Sequence, residues 1–207
     1  EILRCLVGSE MCIRDSSQPV AGNDSPKSPN RILFVGALSS YHNDFLYKQA
    51  NSPRSYDIVL YGSGLETEKL EGKVDYKGFV SSDELIATAE GEYGLAWYGS
   101  SLEGGSGALG EYLQYNAPHK MSLYIRCGLP IIVWEKAGLA PFVKKNNVGI
   151  CISSLTELED ILPKISAGQY MEMKKNVLQI ADKLSHGYYC FKAIKQACAD
   201  LGVEIKG

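Results

Sequence analysis

Tyr115-Asn116-Ala117-Pro118-His119-Lys120-Met121-Ser122 is the stretch whose residue types and spacing could do chemistry. It reads as the start of a helix running from about Pro118 to Cys127 and ended by Gly128. Proline is tolerated in a first turn, where its missing N–H would have no intrahelical acceptor anyway. Free backbone N–H groups and the helix dipole favour an anion at such a start, phosphate above all. Lys120 adds a full positive charge to that turn, the wrong end for a lysine if helix stability were the only concern. A bound diphosphate explains it. Asn116 can cap the helix or hold a ribose hydroxyl, and His119 can hydrogen-bond a phosphate oxygen. Asn116 as a plain cap, with His119 and Lys120 solvated, accounts for the same residues.

Two glycine-bearing segments offer weaker signals. Gly99 to Gly110 contains five glycines, which permit close backbone approach and positive φ. It reads as a ligand-facing loop or as a flexible surface loop. Gly36-Ala37-Leu38-Ser39 is similar. The chain has neither GxxxxGK[ST] nor a GxGxxG after its first strand, so no P-loop or dinucleotide fingerprint is present. It has no Asp-x-Asp to bridge a diphosphate through a metal, no HExxH, and no GxSxG at a strand–helix turn. Trp97, Tyr98 and Trp134 end strands and read as core. His42 and His186 are isolated and read as surface or packing residues.

The elements that must position these residues alternate. Strands are expected at 31–36, 57–61, 74–78, 93–98, 129–134 and 148–152, as short apolar runs bounded by glycine or polar residues. Helices are expected at about 41–50, from a Ser81 or Ser82 cap to 91, at 118–127, 139–146, from a Ser154 cap onward, and at 169–184 and 188–201. This alternation predicts an α/β domain, a doubly wound Rossmann-like parallel sheet with helices on both faces. Such sheets take ligands at the carboxyl ends of their strands, where the segments above converge.

Composition fits that class. Of 207 residues 45% are hydrophobic and 22% charged, as in an ordinary globular protein. A formal net charge of −3 gives no electrostatic reason to expect nucleic acid or an anionic membrane. Cys127, Cys151, Cys190 and Cys198 match no zinc spacing and read as small core residues in a reducing compartment. Leu6 to Ser16 resembles the translation of a transposase-type sequencing adapter, so 1–16 is expected to be an artefact. Residues 17–30, rich in Ser, Pro, Asn and Asp, are expected to be a disordered linker, leaving 31–207 as the domain. An adapter fused in frame also implies that the natural N-terminal part is missing.

Gly110 to Leu158, with its YN-x-PHK-x-SLY-x3-GLP pattern, resembles the C-terminal domain of the glucosyltransferase 3-like and bacterial β-1,6-galactofuranosyltransferase family. The resemblance extends through "LFVGALSS", "YGSG", "YKGFVSSDEL" and "YGLAWYGSS", covering about Arg31 to Leu201. It implies the C-terminal half of a GT-B enzyme, binding a UDP-sugar (UDP-glucose or UDP-galactofuranose). Transfer would be to a glycan or glycoprotein acceptor held by the missing N-terminal domain, so this chain would transfer little alone. Carried onto this sequence, Lys120 and the amides of Met121, Ser122 and Leu123 neutralise the diphosphate, flanked by Asn116, Pro118 and His119. Phe79 and Val80 meet the uracil edge. Gly36, Leu38 and Ser39 close over sugar and phosphate together with the Gly99 to Gly110 loop. Lys120 is the catalytic residue, through leaving-group stabilisation without metal or cofactor. The expected location is cytoplasmic, at most peripheral on the inner membrane face, and a homo-oligomer is admitted.

Two positions depart from the family. It often has Asp-Gly after the fourth strand, where this chain has Tyr98-Gly99, which puts any role of that carboxylate in doubt. A small residue usually precedes Cys127, where this chain has Arg126, read here as a surface substitution rather than a second phosphate contact. The Tyr98 change also supports an alternative, a non-enzymatic pseudo-glycosyltransferase subunit that binds a partner enzyme.

Overall fold

A computed structural model describes residues 30–105, 107–115 and 118–202, with the backbone alone at 107–109. The expectations for 1–16, for the linker up to residue 29, for Asn116 and for 203–207 lie outside the described residues.

Six strands form one parallel sheet in the order β3-β2-β1-β4-β5-β6. They are β1 (Arg31–Ala37), β2 (Asp57–Ser63), β3 (Asp75–Gly78), β4 (Tyr93–Ala96), β5 (Ile131–Trp134) and β6 (Gly149–Ile152). Consecutive residues of the inner strands are buried, Ile32, Leu33 and Phe34 in β1 and Ile131, Ile132 and Val133 in β5. Burial on both faces is what makes these strands read as unbroken apolar runs. The helices are α1 (Ser40–Asn51), α2 (Ser82–Thr88), α3 (Gly107–Tyr112), α4 (His119–Arg126), α5 (Ala140–Asn146), α6 (Leu158–Ile161), α7 (Ala167–Ser185) and α8 (Tyr188–Asp200). Helix α4 packs on β4 and β5 and is covered in turn by α7, while α5 packs on β5 and β6.

Local chemistry sets the ends. Ser81 accepts a hydrogen bond from the Glu84 N–H at the start of α2. Ser166 and Gln169 form a reciprocal capping box that starts α7 two residues earlier than its apolar pattern suggests. Ser154 caps a 3-10 turn, Leu155–Glu157, rather than the α-helix directly. The first departure of weight is α3, which lies inside the glycine-rich segment expected to be a loop. The second is α1, which is kinked at Asn43 (φ −139°, ψ 53°). There the side-chain amide donates to the Ala37 carbonyl at 2.8 Å. The third is Arg126, which is buried, 6% exposed, and not on the surface. It lies six residues along α4 from Lys120, about 9 Å down the axis, so it is remote from the helix start as well.

The chain winds outward from β1 through β2 to β3, then returns to lay β4 on the other side of β1. The carboxyl ends of β1 and β4 therefore flank a topological switch point, where parallel α/β sheets open a crevice. At the opposite end an ion cluster joins the strand beginnings: Arg31 pairs with Asp75 (2.6 Å) and Glu90 (3.1 Å), and Lys77 pairs with both (3.1 Å each). These pairs are partly exposed and individually weak.

Candidate functional site

One tyrosine joins β1 to β4 at this switch point. Backbone partners across this pair run only from Ile32↔Tyr93 to Leu33↔Gly94. Beyond them the buried Tyr124 hydroxyl takes over the ladder. It accepts from the Val35 N–H and donates to the Leu95 carbonyl, each at 3.0 Å. Gly94 makes room for it, since a Cβ there would lie 2.2 Å from the Tyr124 ring. Burial pushes the Tyr124 phenol well above its ordinary pKa, so it serves as a neutral bridge.

Lys120 stands one helical turn before Tyr124 and on the same face of α4. Its backbone and stem are partly exposed, yet Nζ has less than 1 Å² exposed and no hydrogen-bond partner among the described residues. Nζ lies 3.8 Å from the centre of the Phe34 ring and 4.2 Å from that of Tyr98. Gly36 closes the third side. A Cβ there would stand 3.0 Å from Lys120 Cε and 3.3 Å from Nζ, and the residue's φ of +134° is one that L side chains rarely adopt. Burial lowers the Lys120 pKa from 10.5 to about 7. The ring faces pull the other way, because their π-electrons attract an ammonium. The site thus holds an amine that, when charged, has no counter-ion among the described residues.

Two helix starts meet this end of the sheet, and they differ. At α1 the position is filled. Glu66 accepts from the Ser40 N–H at 2.9 Å and from the Ser40 hydroxyl, and it pairs with Lys69. The Lys69 and Ser40 contacts hold its carboxyl below the usual range. At α4 the N-cap residue is Pro118, which has no side-chain oxygen to accept the first N–H groups. The Met121 N–H turns back to the Pro118 carbonyl at 3.0 Å. The amides of His119 and Lys120 have no acceptor among the described residues, as expected of the first N–H groups of a helix. The geometry suits an anion at α4, beside Lys120, and leaves no such opening at α1.

The other expected site residues are distributed as follows. His119 is exposed on the first turn of α4. The side chains of Pro118, Met121, Ser122 and Leu123 are buried, and the Met121 N–H is taken by the Pro118 carbonyl. Ser122 and Leu123 lie past the first turn, where helix N–H groups are paired, so the amides expected to neutralise a diphosphate shift back to His119 and Lys120. Gly36 touches Lys120. Ser39 is the N-cap of α1, and its carbonyl accepts from His42 and Asn43. Leu38 is buried in the core, its N–H donates to Ser63 and its carbonyl accepts from Tyr47, which leaves a ligand little to touch. Phe79 is 79% exposed beyond β3, two strands from β1 and about 10 Å across the sheet. Val80 packs partly against the core. Gly104 and Gly105 lie against the Trp134 indole, where a Cβ would come within 2.8 Å and 2.7 Å of the ring atoms. Those two glycines serve packing of the loop onto β5.

Sequence reasoning missed Phe34, Tyr98 and Tyr124. Trp97 does pack in the core, with its indole N–H on the Ser101 carbonyl at 3.0 Å. Tyr98, beside it, faces Lys120 instead. Among the described residues, no cluster of three or more His, Cys, Asp or Glu side chains could hold a metal ion. Nor is any helix among them long and apolar enough to cross a membrane.

Known proteins resemble this chain over most of its length. Residues 32–197 match the family described as glucosyltransferase 3-like, C-terminal domain. The chain is 31% identical over 188 residues to the β-1,6-galactofuranosyltransferase WbbI of Escherichia coli K12, covering 89% of this chain and 54% of that protein. It is 28% identical over 177 residues to glucosyltransferase 3 of Streptococcus gordonii, covering 85% of this chain and 50% of that protein. The chain thus spans about half the length of the curated relatives it matches. Among solved structures, Anabaena HepE in complex with UDP-glucose superposes with a TM-score of 0.54 at 16% identity, over 83% of this chain and 49% of HepE. AviGT4, a glycosyltransferase of avilamycin A biosynthesis, superposes with 0.53 at 17% identity, over 91% of this chain and 54% of that one. These likenesses establish the fold, a Rossmann-like half of the GT-B type.

Proposed function

The chain belongs to the glucosyltransferase 3-like family, in its C-terminal domain, and from that membership we propose that it is the donor-binding half of a UDP-sugar-dependent glycosyltransferase. One observation carries the reading. A buried lysine with no counter-ion among the described residues lies beside a helix start whose N-cap residue is a proline, at the switch point of a parallel sheet. Desolvating an ammonium without a partner is unfavourable, and a diphosphate at the start of α4 supplies the partner.

In this reading Lys120 and the free amides of α4 stabilise the diphosphate as it leaves the sugar. Positive charge develops on the sugar ring while negative charge grows on the departing UDP. Fixed donors aimed at that charge lower the barrier because they need no reorganisation. This electrostatic route is proposed to operate without a metal. His119 flanks the phosphates, Asn116 holds a ribose hydroxyl, and Phe79 with Val80 meets the uracil. The sugar is glucose or galactofuranose. The acceptor, a glycan or glycoprotein, is recognised by the part of the protein that the longer relatives have in addition, on the cytoplasmic side of the membrane.

Titration calorimetry with UDP, UMP and uridine tests the reading. Each charge-assisted contact is worth about 1.5–3 kcal/mol, so UDP is expected to bind at least about tenfold more tightly than UMP, with uridine weakest. Equal affinities for UDP and uridine would remove the diphosphate from the site.

A further inference from the structure

The Lys120 cradle has a property that anion binding alone does not require. Its walls are Phe34 and Gly36 from β1 and Tyr98 from the connection after β4. The Tyr98 phenol ring faces Nζ, and the titratable Tyr124 follows one turn along α4. Burial pushes Tyr98 up to about 12 and raises Tyr124 well above its ordinary value, so neither is an anion near neutrality. Phe34 and Gly36 do not titrate. Among the described residues no carboxylate reaches Nζ. By contrast, Lys48, Lys69 and Lys77 each have an acidic partner. Ring faces keep an ammonium within reach, while burial without a hydrogen-bond partner disfavours it.

We infer that Phe34 and Tyr98 are positioning residues that bury the Lys120 amine where no counter-charge reaches it, so that the free site gives up its proton and takes one back when an anionic ligand binds at the start of α4. The inference rests on the donor-site reading above. In the step the neutral amine takes one proton from solvent and becomes ammonium, and no other bond changes. The incoming phosphate provides the counter-charge that the cradle lacks. Donor uptake and protonation are then linked, and binding weakens as pH rises, since fewer sites carry the proton beforehand.

Calorimetry with UDP-glucose, whose phosphates have no proton to exchange near neutrality, measures the linkage in buffers of different ionisation enthalpy. With the free amine titrating at about 7, uptake is expected to rise from about a tenth of a proton near pH 6 towards one near pH 9. Tyr98→Phe keeps the ring and keeps the uptake. Tyr98→Asp supplies a carboxylate that charges Lys120 in advance, and the uptake disappears. Lys120→Arg, permanently charged, also loses the uptake while still binding, and it decides the matter if Tyr98→Asp does not fold. UDP-glucose binding with uptake below about a tenth of a proton at every pH overturns the inference and leaves the donor reading standing. Uptake retained in Lys120→Arg places the proton elsewhere and also overturns it. Absence of binding by both UDP-glucose and UDP overturns both readings.

Discussion

Lys120 Nζ lies 3.8 Å from the centre of the Phe34 ring and has no hydrogen-bond partner among the described residues. This pairing joins the helix start to the innermost strand of the sheet. It costs folding energy, because burial opposes the charge. A residue that costs stability at a switch-point crevice is most simply understood through what it binds.

Replacing Lys120 should stabilise the fold. In the unfolded chain the amine titrates near 10.5, and in the folded chain at about 7. Between those values the unfolded chain holds more protons, so this group makes stability rise with pH over that window. Below about pH 7 the whole penalty is present. Lys120→Met is therefore expected to raise the melting temperature near pH 6 by about 2–6 °C, with the gain shrinking as pH approaches 10. Thermal denaturation followed by circular dichroism measures this, and identical melting curves at both pH values would count against the buried, unpaired amine.

Gly36→Ala should strike fold and site together. The new Cβ would stand 3.0 Å from Lys120 Cε, at a φ of +134°. Strain of this kind costs about 1–3 kcal/mol. Urea denaturation is expected to show that loss, and UDP affinity to fall as the lysine is displaced. Unchanged affinity would mean that Lys120 does not reach the ligand from this cradle.

Tyr124→Phe removes one oxygen and orphans two backbone groups, the Val35 N–H and the Leu95 carbonyl. Leaving buried polar groups unsatisfied is expected to cost about 1–3 kcal/mol. Hydrogen exchange should speed selectively at Val35, whose N–H loses its acceptor. A variant as stable as the parent, with Val35 still protected, would show that the strands close by themselves.

Much of this was legible in the sequence because short-range rules govern it. The buried strands announce themselves as "ILFV", "IVLY" and "IIVW", and the pattern Pro118-His119-Lys120 marks a helix start with misplaced charge. What could not be read depends on contacts between distant segments. Nothing local distinguishes Tyr124 as a bridge between Val35 and Leu95, 89 and 29 residues away. Tyr98 reads as a strand-end core aromatic, and only the packing of α4 over β4 turns its ring towards Lys120. Arg126 looked like a surface residue because arginine rarely lies in a core, yet it is buried on a helix that packs between the sheet and α7. The glycine-rich segment suggested ligand approach, whereas Gly104 and Gly105 accommodate the Trp134 ring. The kink of α1 at Asn43 follows from a side-chain bond to Ala37 that no helical pattern encodes.

The central claim, that the start of α4 with Lys120 is the diphosphate site, is tested most directly by calorimetric titration of UDP into the parent chain and Lys120→Ala near pH 7. Removal of one charge-assisted contact predicts a loss of about 1.5–3 kcal/mol, roughly 10- to 150-fold in affinity. Equal affinity in the two proteins would contradict the claim and move the donor site away from this crevice.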